Sequence, residues 1–435
     1  MNRKEKRELE KEAKYFFELM KNNKHFFKDL NKVLLQVKDP RNQSYITYDT
    51  DVLLLAPILK NLFNMKSMRG MTESFNRDEC IENVKKILGK KTLVELPHYD
   101  TINDFLSALD SKELEKIRTY MIKELLKKRS LEKYRINEKY WGVIIDGTGL
   151  FSFDEKHCEH CLRREYRDEN GEVKKTVYMH HVLEAKLVVG DMVLSIASEF
   201  IENESEDVKK QDCKLKAFYR LAEKLKKIFK RLPICILGDS LYTCEGVFDI
   251  CEENKWKYML RFKEGRISSV ADEFAKLKLL ESDNKLEDIC WVNGIAYNQR
   301  KLNLIECELD EQDGNKKQFL FITDMNITKR NAKALSHAGK SRWKIENQGF
   351  NNQKNVRYYI EHANSHNYTA MKNHYILTQI ADIMMQLFEK GTKLLKTIKK
   401  TAIKISSDLL ESFRRHILTD EDITNMVKPI QIRCT

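Results

Sequence analysis

Three carboxylates stand where a folded chain can use them together. Asp146 ends the apolar run Trp141–Asp146 (WGVIID), and Asp239 follows the run Ile234–Leu237 (ICIL) after Gly238. Glu346 lies in Arg342-Trp343-Lys344-Ile345-Glu346-Asn347, at the expected start of a helix. Carboxylates at strand ends face the crevice in which α/β sheets bind ligands. In-line displacement at phosphorus is served by two hard cations roughly 3.5–4 Å apart, which stabilise the attacking and leaving oxygens. Magnesium takes oxygen ligands and keeps several waters, so a few carboxylates suffice. The expected arrangement has Asp146 bridging two ions, with Asp239 and Glu346 holding one each. Each residue alone has a plainer reading. An Asp after a strand is commonly a turn or cap residue, and Glu346 pairs with Arg342 at i,i+4 as a solvated helix residue.

A second group carries metal chemistry of another kind. His157-Cys158-Glu159-His160-Cys161 contains the C-x-x-C spacing of a zinc knuckle, and His180-His181 follows on the next expected strand. Cys158, Cys161 and His181 with one further ligand would make a structural zinc site; Cys213 also lies within the segment. This is half of a double C-x-x-C motif, and the plainer reading is reduced thiols in a loop. A redox pair is disfavoured, because the motif does not open a helix after a strand.

The elements that must position these groups follow from periodicity. Residues 1–135 read as helices: Val52–Phe63 as a buried one starting or kinking at Pro57, Ser74–Leu88 as an amphipathic one, then a helix capped by Asp100 or Thr101 and another from Ser111 to about Ser130. Residues 136–263 switch to strands and helices in the order strand, strand, strand, helix, strand, helix, strand, which is the order of an RNase H-like core. Residues 264–330 read as a small β insertion around the turn signal Asp313-Gly314. Residues 331–390 return to helix, carry Glu346 and are expected to complete the core. Residues 391–435 read as a basic helical tail with weaker packing. The fold class is therefore α/β, an RNase H-like catalytic core with an inserted β subdomain and helical regions at both ends.

Bulk properties narrow the partners. The 435 residues carry a formal net charge of +12, and 42 % are hydrophobic, enough for real cores. A basic globular chain of this size suits a polyanion, nucleic acid above all. Lys66, Arg69, Lys85, Lys86, Lys90 and Lys91 in the N-terminal region are candidate phosphate contacts, with a solvated face as the plain alternative. Trp291, Tyr297 and Trp343 are candidates for stacking on a flipped base, and core packing is the reading favoured for Trp291. No stretch has the roughly 18 apolar residues of a membrane span. Met1–Lys14 has no apolar h-region and reads as no signal peptide. The ten scattered cysteines then read as reduced thiols or metal ligands in the cytoplasm.

Three phrases carry a family resemblance. IIDGTG (Ile144–Gly149), LGDSLYT (Leu237–Thr243) and RWKIENQGFNNQKN (Arg342–Asn355) resemble bacterial insertion-sequence DDE transposases, in the cut-and-paste branch with a β insertion between the second Asp and the Glu. LPHYDTINDFL (Leu96–Leu106) resembles the same family. The resemblance implies a catalytic triad of Asp146, Asp239 and Glu346 and two magnesium or manganese ions. It also implies double-stranded DNA as partner, at terminal inverted repeats and at the target, with a homodimer in the synaptic complex and the nucleoid as the place of work. The family's last motif reads Tyr, two residues, Arg, three residues, Glu, six residues, Lys. Arg342 and Glu346 match it. Gly339 stands at the Tyr position and Gln353 at the Lys position, with Lys354 next. Arg342 is then expected to bind a phosphate bidentately, and Lys354 to contact a phosphate near the cut end. The competing expectations are a transposase-derived DNA-binding protein without catalysis, a structure-specific nuclease of the same fold, and a zinc-dependent enzyme built on the cysteines.

Overall fold

Two apolar runs, Trp141–Ile144 and Ile234–Leu237, pair side by side in parallel, and every residue in both is buried. Parallel strands covered on both faces read as continuous apolar runs, which is why these two stand out in the sequence. The computed structural model describes residues 14–203, 210–281, 283–310 and 316–428. The strands are β1 (Trp141–Phe153), β2 (Leu162–Arg167), β3 (Val173–Val189), β4 (Met192–Ile201), β5 (Ile234–Gly238), β6 (Lys257–Phe262), β7 (Lys285–Leu286), β8 (Ile289–Tyr297), β9 (Arg300–Asp310) and β10 (Lys316–Thr323). They form one sheet in the order β2-β3-β1-β5-β6-β10-β9-β8-β7, with β4 paired to β3. The fold is mixed α/β, a large sheet with helical flanks.

The β insertion is not a separate subdomain. β10 pairs antiparallel with β6, Leu320 opposite Phe262 and Ile322 opposite Leu260, so the strands after β6 extend the same sheet. β6 would otherwise present an unpaired edge, a liability that a covering strand removes. A helix, Ser268–Leu280, also stands in this segment and packs on β8. The expected turn at Asp313-Gly314 lies outside the described residues.

The chain divides into two compact units: Met1–Leu131 with Leu150–Ser152 and Phe350–Thr435, and Glu132–Gly149 with Phe153–Gly349. The second holds the sheet, the Lys214–Phe229 helix against β3 and β4, and the Ala332–Lys340 helix against β6, β8 and β9. The first is helical. At its centre lies Tyr368–Gly391, capped by the Asn367 side chain, which accepts from the Ala370 N–H at 3.0 Å. This helix is buried nearly all round, including Asn373, Gln379 and Asp382, and packs on Tyr15–Phe26, Thr50–Leu62, Tyr99–Ala108 and Ser111–Leu126. N-terminal helices enclose it, where the sequence reading had it close the catalytic core.

Local signals in this unit shift by a few residues. Thr50–Leu62 runs through Pro57 and is buried along its whole length. The expected Ser74–Leu88 helix is two, Met68–Phe75 and Asp78–Leu88, the latter ending on Gly89 at φ 69°. A left-handed residue at that position is the usual glycine stop. The Tyr99–Ala108 helix is capped by His98, whose Nδ1 accepts from the Asp100 N–H at 3.3 Å, and not by Asp100 or Thr101. The basic tail is well packed. Phe413 of the Ala402–Arg415 helix is fully buried, its ring 4.7 Å from Phe16, 5.1 Å from Phe63 and 5.3 Å from Phe75. No helix among the described residues is long and apolar enough to cross a membrane.

Candidate active site

β1 and β5 set the frame of the site. Trp141 lies opposite Ile234 and Ile144 opposite Leu237, an offset of 93 residues (234 − 141). Asp146 and Asp239 differ by the same 93 (239 − 146), two positions past the last paired residues; Asp239 directly follows β5, whereas β1 continues to Phe153, so Asp146 lies within β1 and not at its end as the sequence suggested. Adjacent strands lie about 4.8 Å apart, and equal register positions on parallel neighbours point to the same face. Asp146 is largely buried; its Oδ1 accepts from the Gly147 N–H at 2.7 Å and from Lys214 Nζ at 3.0 Å. A Cβ on Gly147 would sit 2.9 Å from Lys214 Cε, so glycine leaves the lysine its path to the carboxylate. Asp239 Oδ1 accepts from the Leu241 N–H at 2.8 Å and caps the turn Ser240–Tyr242.

Tyr242 is a member of this site that sequence reasoning missed. Its ring is fully buried, and its hydroxyl has no hydrogen-bond partner among the described residues. Burial, then the charges of Asp146 and Asp239, push its pKa well above the usual phenol value. The ring occupies the space over Gly238, where a Cβ would lie 2.8 Å from it. The phrase Leu237-Gly238-Asp239-Ser240-Leu241-Tyr242 is thus one packing unit, with Gly238 admitting the ring and Asp239 capping the turn that carries it. Glu184 on β3 is a further buried carboxylate, but Ser195 Oγ at 2.6 Å and Ser198 Oγ donate to it, which marks a satisfied polar core group.

Glu346 stands apart from the aspartates in character. It is exposed, on the wide-wound π-helical turn Ile345–Phe350, and its Oε1 accepts from Arg342 Nη1 at 3.1 Å. Asp146, Asp239 and Glu346 do not form a cluster with ligand oxygens all within 4.8 Å; among the described residues, Cys158, Cys161 and His180 form the one such group of three. Each of Asp146 and Glu346 is instead tied to a cation of the chain. π-Turns are rare and recur at functional sites; a second one, Asn352–Val356, follows.

Arg342 takes the plain partner named above, and it has a neighbour that the sequence did not suggest. Its Nε is buried with no partner among the described residues, and its guanidinium lies 5.0 Å from the Trp343 ring. Arg261 of β6 lies over the Phe319 ring at 4.1 Å, and its Nη1 is likewise buried without a partner. Burial, then the charge of Arg342, press the Arg261 pKa below its ordinary value. Trp343 meets Phe319 edge-on at 4.8 Å, a packed position. Trp291 is core, as expected.

The departures from the family motif have packing causes. A Cβ on Gly339 would lie 2.9 Å from the Phe321 ring, so the Tyr position has no room for a side chain. Gln353 is buried, its amide donating to Gln379 Oε1 at 3.1 Å and Asp382 Oδ2 at 2.7 Å. Lys354 pairs with Glu361 at 2.6 Å. Of the N-terminal cations, Arg69, Lys85, Lys86 and Lys90 are all in ion pairs with carboxylates of the chain.

The cysteine cluster uses a different histidine from the expected one. His180 Nε2 lies 3.5 Å from Cys158 Sγ and 3.4 Å from Cys161 Sγ. Strand alternation turns the neighbouring His181 to the opposite face, where its Nε2 lies 3.5 Å from the Cβ position of Gly149. Burial, then Cys161, push the Cys158 thiol up to about 12.

No family model matches the chain, and no curated protein matches it. Among solved structures, the chain is similar to piggyBac transposase in a synaptic complex with hairpin DNA, at 11 % identity and a TM-score of 0.43, over 95 % of this chain and 84 % of that one. An overlap of that size assigns the chain no activity.

Proposed function

We propose that the chain is a DNA transposase that cuts at terminal inverted repeats and transfers the freed 3′-hydroxyl strand to target DNA. The observation that carries this reading is the matched offset of Asp146 and Asp239, each two positions past the last paired residues of β1 and β5. The phrases around them and around Glu346 support it, and so does the sheet. β1, β3 and β4 in sequence, a helix, β5, a helix and β6, ordered β4-β3-β1-β5-β6, support an RNase H-like core. Antiparallel pairing of β3 with β4 and parallel pairing of β1, β5 and β6 fit the same core.

The donor set fits a hard cation. Two carboxylates, one within β1 and one just past the neighbouring β5, offer oxygen ligands of the kind magnesium and manganese take. Asp146 and Asp239 would hold the ions, with Glu346 as the third carboxylate. Bound divalent ions supply charge stabilisation to the attacking and leaving oxygens of a displacement at phosphorus.

The chain's own groups do the rest. Lys214 donates to Asp146 from the Gly147 side and holds its carboxylate in place. Arg342 and Arg261 carry buried donors with no partner among the described residues. A phosphate between two guanidinium groups would satisfy those donors and relieve their mutual repulsion. The hydroxyl of Tyr242 stands ready to donate to an oxygen beside the aspartates.

The test is strand nicking and joining on DNA bearing the element's inverted repeats, with magnesium. Nicked and joined products are expected from the native chain, and none from Asp146→Asn. Normal end-binding without cleavage would favour a DNA-binding derivative. Cleavage without joining would favour a nuclease of the same fold. Cutting by Asp146→Asn would overturn the assignment of the site.

A further inference from the structure

Cys158, Cys161 and His180 form a near-equilateral triangle of ligand atoms. The sulfurs are 3.6 Å apart, and His180 Nε2 lies 3.5 Å from one and 3.4 Å from the other. With Zn–S of about 2.3 Å and Zn–N of about 2.0–2.1 Å, tetrahedral angles set sulfur–sulfur separations near 3.8 Å and sulfur–nitrogen separations near 3.5 Å. All three sides of the triangle fall within a few tenths of an ångström of that geometry. A chance contact of two thiols and an imidazole sets one or two such distances; a shared ion sets all three.

The surroundings suit a structural metal. Cys161 and His180 are buried, and Cys158 is half-buried. The Asn203 side chain donates to the Cys161 carbonyl at 2.9 Å and fixes the knuckle from behind. The Phe153 ring meets the His180 ring at 6.3 Å, nearly perpendicular. Among the described residues no fourth His, Cys, Asp or Glu comes within the same reach. Two soft thiolates and an imidazole in a tetrahedral arrangement select zinc over magnesium or calcium.

We infer that Cys158, Cys161 and His180 hold a zinc ion that clips the loop after β1 to β3. The place of the clip explains its use. β2 pairs with β3 from Leu162 opposite Met179, directly beside the site. Beyond it the two strands run out with Arg163, Arg164, Arg167, Lys174 and Lys175 exposed. A two-stranded ribbon is marginal by itself in water, and a metal at its root holds this cationic ribbon in place. The inference stands apart from the carboxylate site and does not depend on it.

Metal analysis of the full chain, purified under reducing conditions in zinc-containing buffer, tests it. About one zinc per chain is expected. Cys158→Ser, Cys161→Ser and His180→Ala should each lower zinc content at least about tenfold. His181→Ala and Asp146→Asn should keep it. Cobalt exchanged into the native chain should give the thiolate charge-transfer bands of a tetrahedral site, a readout that needs no variant to fold. Chelation should speed tryptic cleavage within residues 162–178. A native chain without zinc, or zinc retained by His180→Ala, would overturn the inference.

Discussion

Asp146 and Asp239 each stand two positions past Ile144 and Leu237, the last paired residues of two parallel neighbours, although 93 residues (239 − 146) separate them in the chain. Two carboxylates brought near each other repel unless a cation intervenes, and Lys214 pairs with Asp146 at 3.0 Å. This pairing predicts that the two act as one unit. On the proposed reading, Asp146→Asn and Asp239→Asn should each lower cleavage by about 10³-fold or more, since each would remove a metal ligand worth several kcal/mol of transition-state stabilisation. The double variant should be no worse than either single one, because members of a catalytic unit are strongly non-additive. Single-turnover cleavage at saturating magnesium measures it. Independent, multiplying losses would show that the aspartates serve different sites.

Arg261 and Arg342 should bind DNA together. Both carry a buried guanidinium nitrogen with no partner among the described residues, and the charge of Arg342 helps lower the Arg261 pKa. Arg261→Met and Arg342→Met are each expected to weaken binding to the element's ends by about tenfold, the scale of one charge-assisted contact. Each should also reduce the steepness of the salt dependence by about one phosphate's share. Filter binding or anisotropy across a salt series gives both numbers. Unchanged salt slopes would assign the pair to packing on Phe319 and Trp343 alone.

Gly339 should reject the tyrosine that the family motif places there. The Phe321 ring already fills that volume, with 2.9 Å left to a Cβ. Gly339→Tyr is expected to destabilise by about 3 kcal/mol, the upper range for overpacking a filled core. Gly339→Ala should cost less, since one methyl can be met by a small shift of the ring. Urea unfolding of the three chains gives the order, and a stabilised Gly339→Tyr would contradict the packing account.

Much of this frame is legible in the sequence, and the reasons differ by element. β1 and β5 are readable because burial on both faces leaves uninterrupted apolar runs followed by Asp146 and Asp239; that β1 runs on past Asp146 to Phe153 is not readable, because Gly147-Thr148-Gly149 looks like a turn. The destination of β10 is not readable, because alternation in Lys316–Thr323 gives a face but no partner strand, and its partner β6 is more than fifty residues earlier. His180 and His181 differ by one residue, so choosing between them needs the phase of β3, which the sequence does not fix. Tyr242 and Arg261 carry no signal of their own; their roles come from a turn and a neighbouring helix. Phe413 lies in a lysine-rich tail, and that composition conceals one apolar side chain at the centre of an aromatic cluster.

His374 and Lys60 give the helical unit a pH dependence whose sign follows from burial. His374 is fully enclosed on the Tyr368–Gly391 helix, and its Nε2 has no partner among the described residues. Burial, then the charge of Lys60, hold its pKa down at about 3. Lys60, itself enclosed, donates to Asn364 Oδ1 at 3.0 Å, and burial lowers its pKa to about 8. A base whose folded pKa is lowered takes its proton first in the unfolded chain. The histidine therefore costs nothing above its unfolded pKa of roughly 6.5, and stability falls as pH drops from there toward about 3. The full loss is on the order of 4 kcal/mol, of which about 2 kcal/mol should appear between pH 6.5 and pH 5. His374→Gln removes the titrating group and should flatten that part of the curve. Lys60→Met should stabilise the unit near neutral pH, by sparing a buried charge, and should make the histidine's fall smaller, ending at a higher pH, because only the folded pKa rises. Urea unfolding of the three chains between pH 5 and pH 8 separates these effects. Parallel curves for the native chain and His374→Gln would place the acid sensitivity elsewhere.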